Sequence, residues 1–142
     1  MPATTSVPDP VPEAIVLDAS AAVEALIGSA VGGAVRARMR GCELHAPAHL
    51  DAEILSALGR LHRAGDLAAS AVARALTELR SAPVARHDLA DLLAGAWDAR
   101  DRLRLVDALY VVLASRLGVP LVTTDARLAH ASEIAQLISR SE

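Results

Sequence analysis

The chain of 142 residues has no lysine, no phenylalanine and no asparagine, and it has one cysteine, one tryptophan and one tyrosine. The single cysteine, Cys42, excludes an internal disulfide, so we expect a reducing, cytoplasmic setting. Because aromatic residues make up only 1% of the chain, we expect alanine, valine, leucine and isoleucine to fill the core.

Long apolar runs are also missing, although 53% of the residues are hydrophobic. No uninterrupted apolar segment is long enough to span a bilayer, and we expect no membrane association. Residues 1–13 contain four prolines and no basic residue. This composition excludes a signal peptide and predicts a disordered tail over 1–13, followed by a single domain over 14–142.

The chain lacks an excess of positive charge, since its formal net charge is -3. A general nucleic-acid binder is more often basic. Contact with nucleic acid would therefore depend on local arginine clusters that meet phosphates. The alternative for the first cluster is a favourable interaction with a helix dipole. The arginines in question are Arg36, Arg38, Arg40, Arg60, Arg63, Arg100, Arg102 and Arg104.

Two apolar runs end in a carboxylate. Residues 15–17 lead into Asp18, and residues 119–123 lead to Asp125. Each pattern predicts a buried strand, and Ser20 is expected to cap the helix that follows the first one. Because ligand sites in open α/β sheets lie at the carboxyl ends of the strands, both acids are candidate site residues. The alternative is that each acid only stabilises a turn or a helix end.

The rest of the chain alternates between predicted helices and predicted strands. This order favours an α/β fold with a mainly parallel sheet between helices. The stretch 105–114 is so apolar that we expect this helix to be buried all round. Helices are predicted over 21–27, 30–40, 49–64, 67–81, 89–102, 105–117 and 126–130, and strands over 15–17, 44–46, 84–86, 119–123 and 134–138.

Two more acids, Glu53 and Asp107, lie on apolar helices. A buried glutamate is costly unless it is paired or bound to a cation, whereas Asp107 near a helix start could simply favour the helix dipole. Four carboxylates in apolar settings would raise one another's pKa, and a divalent cation would remove that cost. Oxygen ligands favour Mg²⁺ or Mn²⁺ over zinc. Ser20 and Thr123 would add neutral oxygens near the ion or its waters.

Four short motifs, in this order and spacing, resemble those of a PIN-domain ribonuclease, and more narrowly those of the VapC-type toxins of bacterial type II toxin–antitoxin pairs. The resemblance covers residues 15–138. Ser56 departs from it, because many members have asparagine one turn after the helical glutamate. The motifs are Leu-Asp-Ala-Ser at 17–20, Ala-Glu-Ile-Leu at 52–55, Val-Asp-Ala-Leu-Tyr at 106–110 and Leu-Val-Thr-Thr-Asp at 121–125.

The resemblance implies a PIN-like three-layer fold for residues 14–142, with a short, mainly parallel sheet flanked by helices. It also implies a Mg²⁺-dependent endoribonuclease that cleaves RNA by a metal-activated water and leaves 5′-phosphate and 3′-hydroxyl ends. Its catalytic acids and metal ligands would be Asp18, Glu53, Asp107 and Asp125. The implied partners are a second copy of the chain and a cognate VapB-type antitoxin, whose helix fills a groove, in a heterotetramer or a larger assembly.

Three other functions fit the sequence less well. Haloacid-dehalogenase-like phosphatases and response-regulator receivers also use a strand-end aspartate, but they usually need a lysine, which this chain lacks. A non-catalytic module with a degenerate site is disfavoured because all four acids are present. A zinc site is disfavoured because Pro47 separates His45 from His49, and His62, His87 and His130 are scattered.

Overall fold

The computed structural model describes residues 6–139, and its centre is a five-stranded sheet in which every pair of neighbouring strands is parallel. The spatial order is β3-β2-β1-β4-β5, so the first strand of the chain lies in the middle. The mainly parallel sheet expected from the sequence is confirmed. The strands are β1 (Ala14–Leu17), β2 (Glu43–Pro47), β3 (Val84–His87), β4 (Leu121–Thr123) and β5 (Ala135–Leu137).

Helices flank this sheet and complete the three-layer architecture expected from the sequence. Helix α6 packs against β1, β2 and β4 and also contacts α5, whereas α1 contacts α2, α3 and α4. The first four helices thus form one group, and α5 and α6 form another. The α-helices of the described residues are α1 (Ala19–Ile27), α2 (Ala30–Met39), α3 (Leu50–Arg63), α4 (Ala69–Ser81), α5 (Leu93–Asp98), α6 (Leu105–Leu117) and α7 (Ala126–Ala131).

The pairing of β1 with β4 determines where the strand-end acids lie. Val16 is in register with Leu121, and Leu17 with Val122. Both strands are buried on both faces, which explains why each is a continuous apolar run rather than an alternating one. Because the strands are parallel and in register, the residues that follow them emerge at the same edge of the sheet.

The helix predicted over 89–102 is wrong in its extent. A single turn of 3-10 helix (Ala90–Leu92) leads into the short α5, and residues 99–103 then form turns. The backbone N–H groups of Arg100 and Arg102 donate to carbonyls three residues back, at Trp97 and Ala99. The chain therefore tightens after Asp98 instead of continuing as one α-helix.

The prediction that α6 is buried all round is also wrong. Leu105 and Val106 at its start are 46% and 47% exposed, and on α5 both Leu93 and Trp97 are 56% exposed. The middle of α6 is buried and includes Tyr110, which is fully inaccessible to solvent. The apolar sequence of α6 thus reflects a buried centre and an exposed beginning.

The N-terminal part of the chain is described from residue 6 onward. Residues 6–13 are exposed and form no helix or strand, while residues 1–5 lie outside the described residues, so a disordered tail over 1–13 stays a prediction. Within residues 6–139, no helix is both long enough and apolar enough to cross a membrane.

Candidate active site

Asp18 occupies the position between β1 and α1 and is only 5% exposed. Its Oδ2 accepts a hydrogen bond of 2.8 Å from the hydroxyl of Thr123 and one of 2.6 Å from the hydroxyl of Ser20. The prediction that Ser20 caps the helix is wrong, because α1 begins at Ala19 with Asp18 in the N-cap position. The Ser20 side chain instead connects Asp18 to the end of β4.

Thr123 and Ser20 also hold the turn after β4. The Thr123 hydroxyl oxygen accepts from the backbone N–H of Asp125 at 3.0 Å, and the Ser20 hydroxyl oxygen accepts from that of Thr124 at 3.1 Å. The two hydroxyls therefore tie the ends of β1 and β4 together. Both donate to Asp18, Thr123 holds the backbone N–H of Asp125, and Ser20 holds that of Thr124.

Glu53 lies in the first turn of α3 and faces α6. Its Oε1 accepts a 2.6 Å hydrogen bond from the hydroxyl of Tyr110. His49, one helical turn before Glu53, brings its Nε2 to 3.0 Å from the same oxygen. Sequence reasoning missed both partners, although Tyr110 is the last residue of the motif that contains Asp107.

Asp107 and Asp125 lie near the starts of two helices. Asp107 is in the first turn of α6, which begins after Arg104 in the N-cap position. Asp125 is the N-cap of α7, and its Oδ1 accepts from the backbone N–H of Arg127 at 2.9 Å and of Leu128 at 3.5 Å. Asp125 therefore has the capping role that the sequence left open, in addition to its position beside the other acids.

All four acids predicted from the sequence line one pocket at the carboxyl edge of the sheet, with a volume of about 540 Å³. Its lining combines these carboxylates with apolar side chains of α1 and α3. Glu24, which sequence reasoning did not single out, also reaches this pocket. The residues around it are Asp18, Ala19, Ser20, Val23, Glu24, Glu53, Ala57, Arg60, Leu61, Ala64, Asp107, Thr124 and Asp125.

The electrostatics of the acids differ within this pocket. Burial raises the pKa of Asp18, against hydrogen bonds from Ser20 and Thr123 that lower it. Burial also raises the pKa of Asp107, and the charges of the other three acids add to the effect. Burial acts in the same direction on Glu53, but its contacts with His49 and Tyr110 outweigh it and leave the pKa lowered. The pKa values of Asp18 and Asp107 are thus raised, and for Asp107 the positive charge of Arg104 only partly opposes the effect; a bound cation would lower both.

The donor set of the pocket fits a hard cation better than zinc. Its ionisable ligands are carboxylates, and Mg²⁺ prefers oxygen ligands while keeping several of its waters. Within residues 6–139, no three His, Cys, Asp or Glu side chains converge closely enough to enclose an ion by themselves. A Mg²⁺ ion that keeps several waters could still be held here, because it needs only one or two carboxylates as direct ligands.

The histidines do not form the zinc site considered above. His45 Nδ1 lies 2.9 Å from His87 Nε2, and His45 Nε2 lies 2.6 Å from Glu43 Oε1. His62 Nδ1 contacts the carbonyl oxygen of Leu67 at 2.9 Å. A pair of imidazoles falls short of the four ligands of a structural zinc site and the three protein ligands of a catalytic one.

The candidate RNA-binding arginines fall into separate groups, and some lie beside the acids. Arg60 lines the main pocket, and its guanidinium donates to the hydroxyl of Ser56 at 2.8 Å. A second cleft of about 200 Å³ shares Asp107 and Asp125 with the pocket of the four acids. This cleft is lined by Arg102, Leu103, Arg104, Asp107, Asp125, Arg127, Leu128 and Ala131. Sequence reasoning missed Arg127, which lies two residues after Asp125.

The other predicted arginines line neither of these two clefts. On α2, Arg36 forms a 2.9 Å ion pair with Glu78, and Arg38 pairs with Glu13. The guanidinium of Arg100 lies over the ring of Trp97, 4.7 Å from its centroid. The remaining two, Arg40 and Arg63, are exposed.

The sequence of the chain is similar to that of a known protein family and of several ribonucleases. The family model for the PIN domain matches residues 15–134. Ribonuclease VapC3 of Mycobacterium tuberculosis is 56% identical over 128 residues, which is 89% of this chain and 93% of that protein. Ribonuclease VapC12 of the same organism is 40% identical over 115 residues, which is 81% of this chain and 89% of that protein.

A solved structure supports the same fold. The crystal structure of PAE2754 from Pyrobaculum aerophilum superimposes with a TM-score of 0.63 and 26% sequence identity. The superposition covers 87% of this chain and 82% of that one. The overall fold is therefore shared with an experimentally determined protein.

Proposed function

Because the chain belongs to the PIN-domain family and, within it, to the VapC-type ribonucleases, we propose that it is a Mg²⁺-dependent endoribonuclease that acts as the toxin of a toxin–antitoxin pair. The observation that carries this proposal is the pocket of about 540 Å³, around which four carboxylates from separate elements meet. A local structural role could explain each of these acids on its own. It does not explain why all four line one pocket, whereas a cation or a cationic partner would explain this arrangement.

The catalytic chemistry is assigned to Asp18, Glu53, Asp107 and Asp125, which would hold the ion. A bound Mg²⁺ or Mn²⁺ supplies activation of water for attack on the phosphodiester and stabilisation of the charge that develops there. Thr123 and Ser20 orient the Asp18 carboxylate by donating to Oδ2. Because Asp125 is fixed as the cap of α7, we assign it a weaker or water-mediated contact with the ion.

The RNA would cross the acids from one arginine-bearing cleft to the other. Arg60 lines the pocket of the four acids, and Arg102, Arg104 and Arg127 line the second cleft, which shares Asp107 and Asp125 with it. Arginine binds phosphate in a bidentate manner, and each such contact fixes the register of the backbone without reading the bases. We therefore assign the phosphate contacts to these four arginines rather than to Arg36, Arg38 and Arg100, which have partners elsewhere.

The antitoxin would occupy the apolar wall of the main pocket. Val23, Ala57 and Leu61 lie beside the acids on α1 and α3. An amphipathic helix with an arginine at one end matches this surface, since its apolar face meets the wall and its guanidinium meets the carboxylates. A VapB-type antitoxin bound in this way would exclude both the metal and the RNA.

We also propose a homodimer in the cytoplasm, which would form a heterotetramer or a larger assembly with the antitoxin. The exposed apolar side chains of α5 and the start of α6 support a protein–protein contact there. Light scattering of the purified chain measures its oligomeric state. We expect the mass of two chains, and Trp97→Ser is expected to shift it toward one.

The experiment that tests the nuclease is cleavage of total cellular RNA by the purified, antitoxin-free chain. The reactions contain Mg²⁺, Mn²⁺ or EDTA, and Asp18→Asn is compared with Asp91→Asn, an exposed aspartate outside the pocket. We expect discrete cuts with the wild type and with Asp91→Asn, and none with EDTA or with Asp18→Asn. Mapping of the ends should show 5′-phosphates and 3′-hydroxyls.

A folded chain that cuts no RNA in either metal would contradict the proposed activity. If such a chain still bound RNA or a partner through the acids, the non-catalytic binding module would be the better description. Isothermal titration with Mn²⁺ adds a second measurement. The nuclease is expected to bind the ion, whereas a cluster of acids that only binds a partner does not need it.

A further inference from the structure

Two side chains behind Glu53 have no role in the mechanism described so far. Tyr110 on α6 and His49, immediately before α3, both contact Glu53 Oε1, at 2.6 Å and 3.0 Å. Among the described residues, no hydrogen-bond donor reaches the other carboxylate oxygen, Oε2. The two contacts therefore occupy one oxygen of Glu53 from behind and leave the second available to the pocket.

The hydroxyl of Tyr110 is not needed for packing, because a phenyl ring alone would fill the space. Tyr110 is the largest fully buried side chain of the described residues. A buried hydroxyl is costly unless it is hydrogen-bonded, and Glu53 Oε1 is its acceptor. The hydroxyl thus ties α6, which carries Asp107, to α3, which carries Glu53. The bond fixes the distance between two of the four acids.

His49 contributes to the same arrangement from the opposite side. Its ring packs against that of Tyr110, with centroids 4.9 Å apart at an angle of 53°. Only 14% of its side chain is exposed, and its Nε2 lies at ion-pair distance from Glu53 Oε1. Within the described part of the chain, neither of its two buried ring nitrogens forms a hydrogen bond of regular geometry. A histidine that is nearly buried and poorly paired is costly. Its contact with Glu53 gives a reason for its presence there.

We propose that Tyr110 and His49 are positioning residues that hold one carboxylate oxygen of Glu53 and thereby aim Oε2 at the divalent cation. This inference rests on the proposed nuclease function. Partners that orient a metal ligand from behind are worth roughly 10- to 100-fold in metal affinity or activity when removed. Neither residue lines the pocket of the acids, so we expect both to act through Glu53.

The test measures Mn²⁺ affinity by isothermal titration, together with kcat and KM for RNA, in wild type, Tyr110→Phe, His49→Leu and His49→Gln. We expect Tyr110→Phe to weaken Mn²⁺ binding about 10-fold and to lower kcat, with the KM for RNA unchanged. We expect His49→Leu to act in the same direction. His49→Gln should restore much of the affinity, because its amide nitrogen can donate from nearly the same place as Nε2.

The matched control is His45→Leu. His45 has a similar exposed fraction, 13% of its side chain, and pairs with Glu43 and His87 instead of an acid of the pocket. We expect this variant to melt at a lower temperature while its Mn²⁺ affinity stays at the wild-type value. Thermal unfolding of every variant by circular dichroism confirms that each one is folded at the assay temperature.

Two different failures are distinguishable. If the wild type binds Mn²⁺ and cuts RNA, and both Tyr110→Phe and His49→Leu keep wild-type affinity and kcat, the positioning role is wrong and the two residues only fill space. If His49→Gln is as weak as His49→Leu, the role of His49 as a donor is wrong. If the wild type neither binds Mn²⁺ nor cuts RNA, the proposed function fails and this inference fails with it.

Discussion

The hydroxyl of Thr123 donates a 2.8 Å hydrogen bond to Oδ2 of Asp18 across 105 residues of sequence. Thr123 is completely buried, and its oxygen also accepts the backbone N–H of Asp125. One hydroxyl group therefore joins the first strand of the chain to the turn that carries the last acid. Both hydrogen bonds would be lost if the hydroxyl were replaced by a methyl group.

We expect Thr123→Val to destabilise the protein by about 1–3 kcal/mol, because a buried carboxylate and a buried N–H each lose a partner. Thr77→Val is the matched control, since the Thr77 hydroxyl is exposed and donates only to a carbonyl of its own helix at 3.0 Å. Urea unfolding followed by circular dichroism measures both changes. Equal losses in the two variants would contradict the assigned role of Thr123.

Asp18→Asn is expected to stabilise the metal-free protein at pH 7 while abolishing cleavage. Burial holds the pKa of Asp18 above its ordinary value of 3.8 in the folded state. The favourable contribution of a group with a raised pKa is fully present below 3.8 and is lost as the pH rises through the folded-state value. At neutral pH the folded protein therefore carries an unfavourable buried charge that asparagine lacks.

The gain in stability from Asp18→Asn should be largest at neutral pH, where the buried carboxylate of the wild type is charged. It should shrink as the pH falls toward 4, because a protonated aspartic acid resembles asparagine in charge. Denaturant unfolding in EDTA at several pH values measures the difference between the two proteins. A variant that is less stable than wild type at pH 7 would show that the charged carboxylate is favourable without a cation.

Addition of Mn²⁺ should raise the melting temperature of the wild type. A ligand that binds only the folded state stabilises by about 2.7 kcal/mol when it is present at 100 times its Kd. Asp18→Asn should show little or no shift under the same conditions. If both proteins shift equally, the ion binds outside the acidic pocket.

Arg60 and Arg127 are expected to contact RNA phosphates. Replacement of either by glutamine should weaken RNA binding in low salt and reduce the slope of log K against log salt by about 1. Arg36→Gln is the control, because that arginine is paired with Glu78 on α2 and lies outside the two clefts. Fluorescence anisotropy with a labelled RNA and the inactive Asp18→Asn background measures the slopes. A larger effect of Arg36→Gln would place the RNA on α2 instead.

Two adjacent glycines of α2 provide a test of the packing between α1 and α2. A Cβ on Gly32 would lie 1.9 Å from the carbonyl oxygen of Glu24, whereas a Cβ on Gly33 would meet nothing within 4 Å. We expect Gly32→Ala to destabilise by about 1–3 kcal/mol or more, since backbone must move. Gly33→Ala should stabilise by up to about 1 kcal/mol through helix propensity. Thermal unfolding of both variants should show shifts of opposite sign.

The sequence was sufficient to predict the parallel sheet and the edge at which the acids lie. Residues 15–17 and 121–123 are buried on both faces, and such strands read as unbroken apolar runs. The carboxylates that follow these strands could be identified because each one ends an unbroken apolar run. These features are local in sequence, so a pattern of residue types reveals them.

Features that depend on contacts between distant elements could not be predicted. The bond between Tyr110 and Glu53 joins residues 57 positions apart, and nothing in either local pattern indicates it. The sequence also did not indicate that Leu105 and Val106 are exposed. An apolar residue looks the same in the sequence whether it is buried in the core or lies on an exposed apolar surface. The sequence shows where the arginines are along the chain. Only the folded structure shows that Arg60 and Arg127 lie beside the acids, unlike the arginines on α2.

The central position of β1 has a consequence for how the protein is made. Chains emerge from the ribosome N-terminus first, yet β1 needs β4 beside it, with Val16 opposite Leu121. A nascent chain interrupted before β4 carries Asp18, Glu53 and Asp107 but has neither Thr123 nor the turn that presents Asp125. Unfinished translation products of this chain are therefore expected to be harmless to the RNA of the machinery that synthesises them.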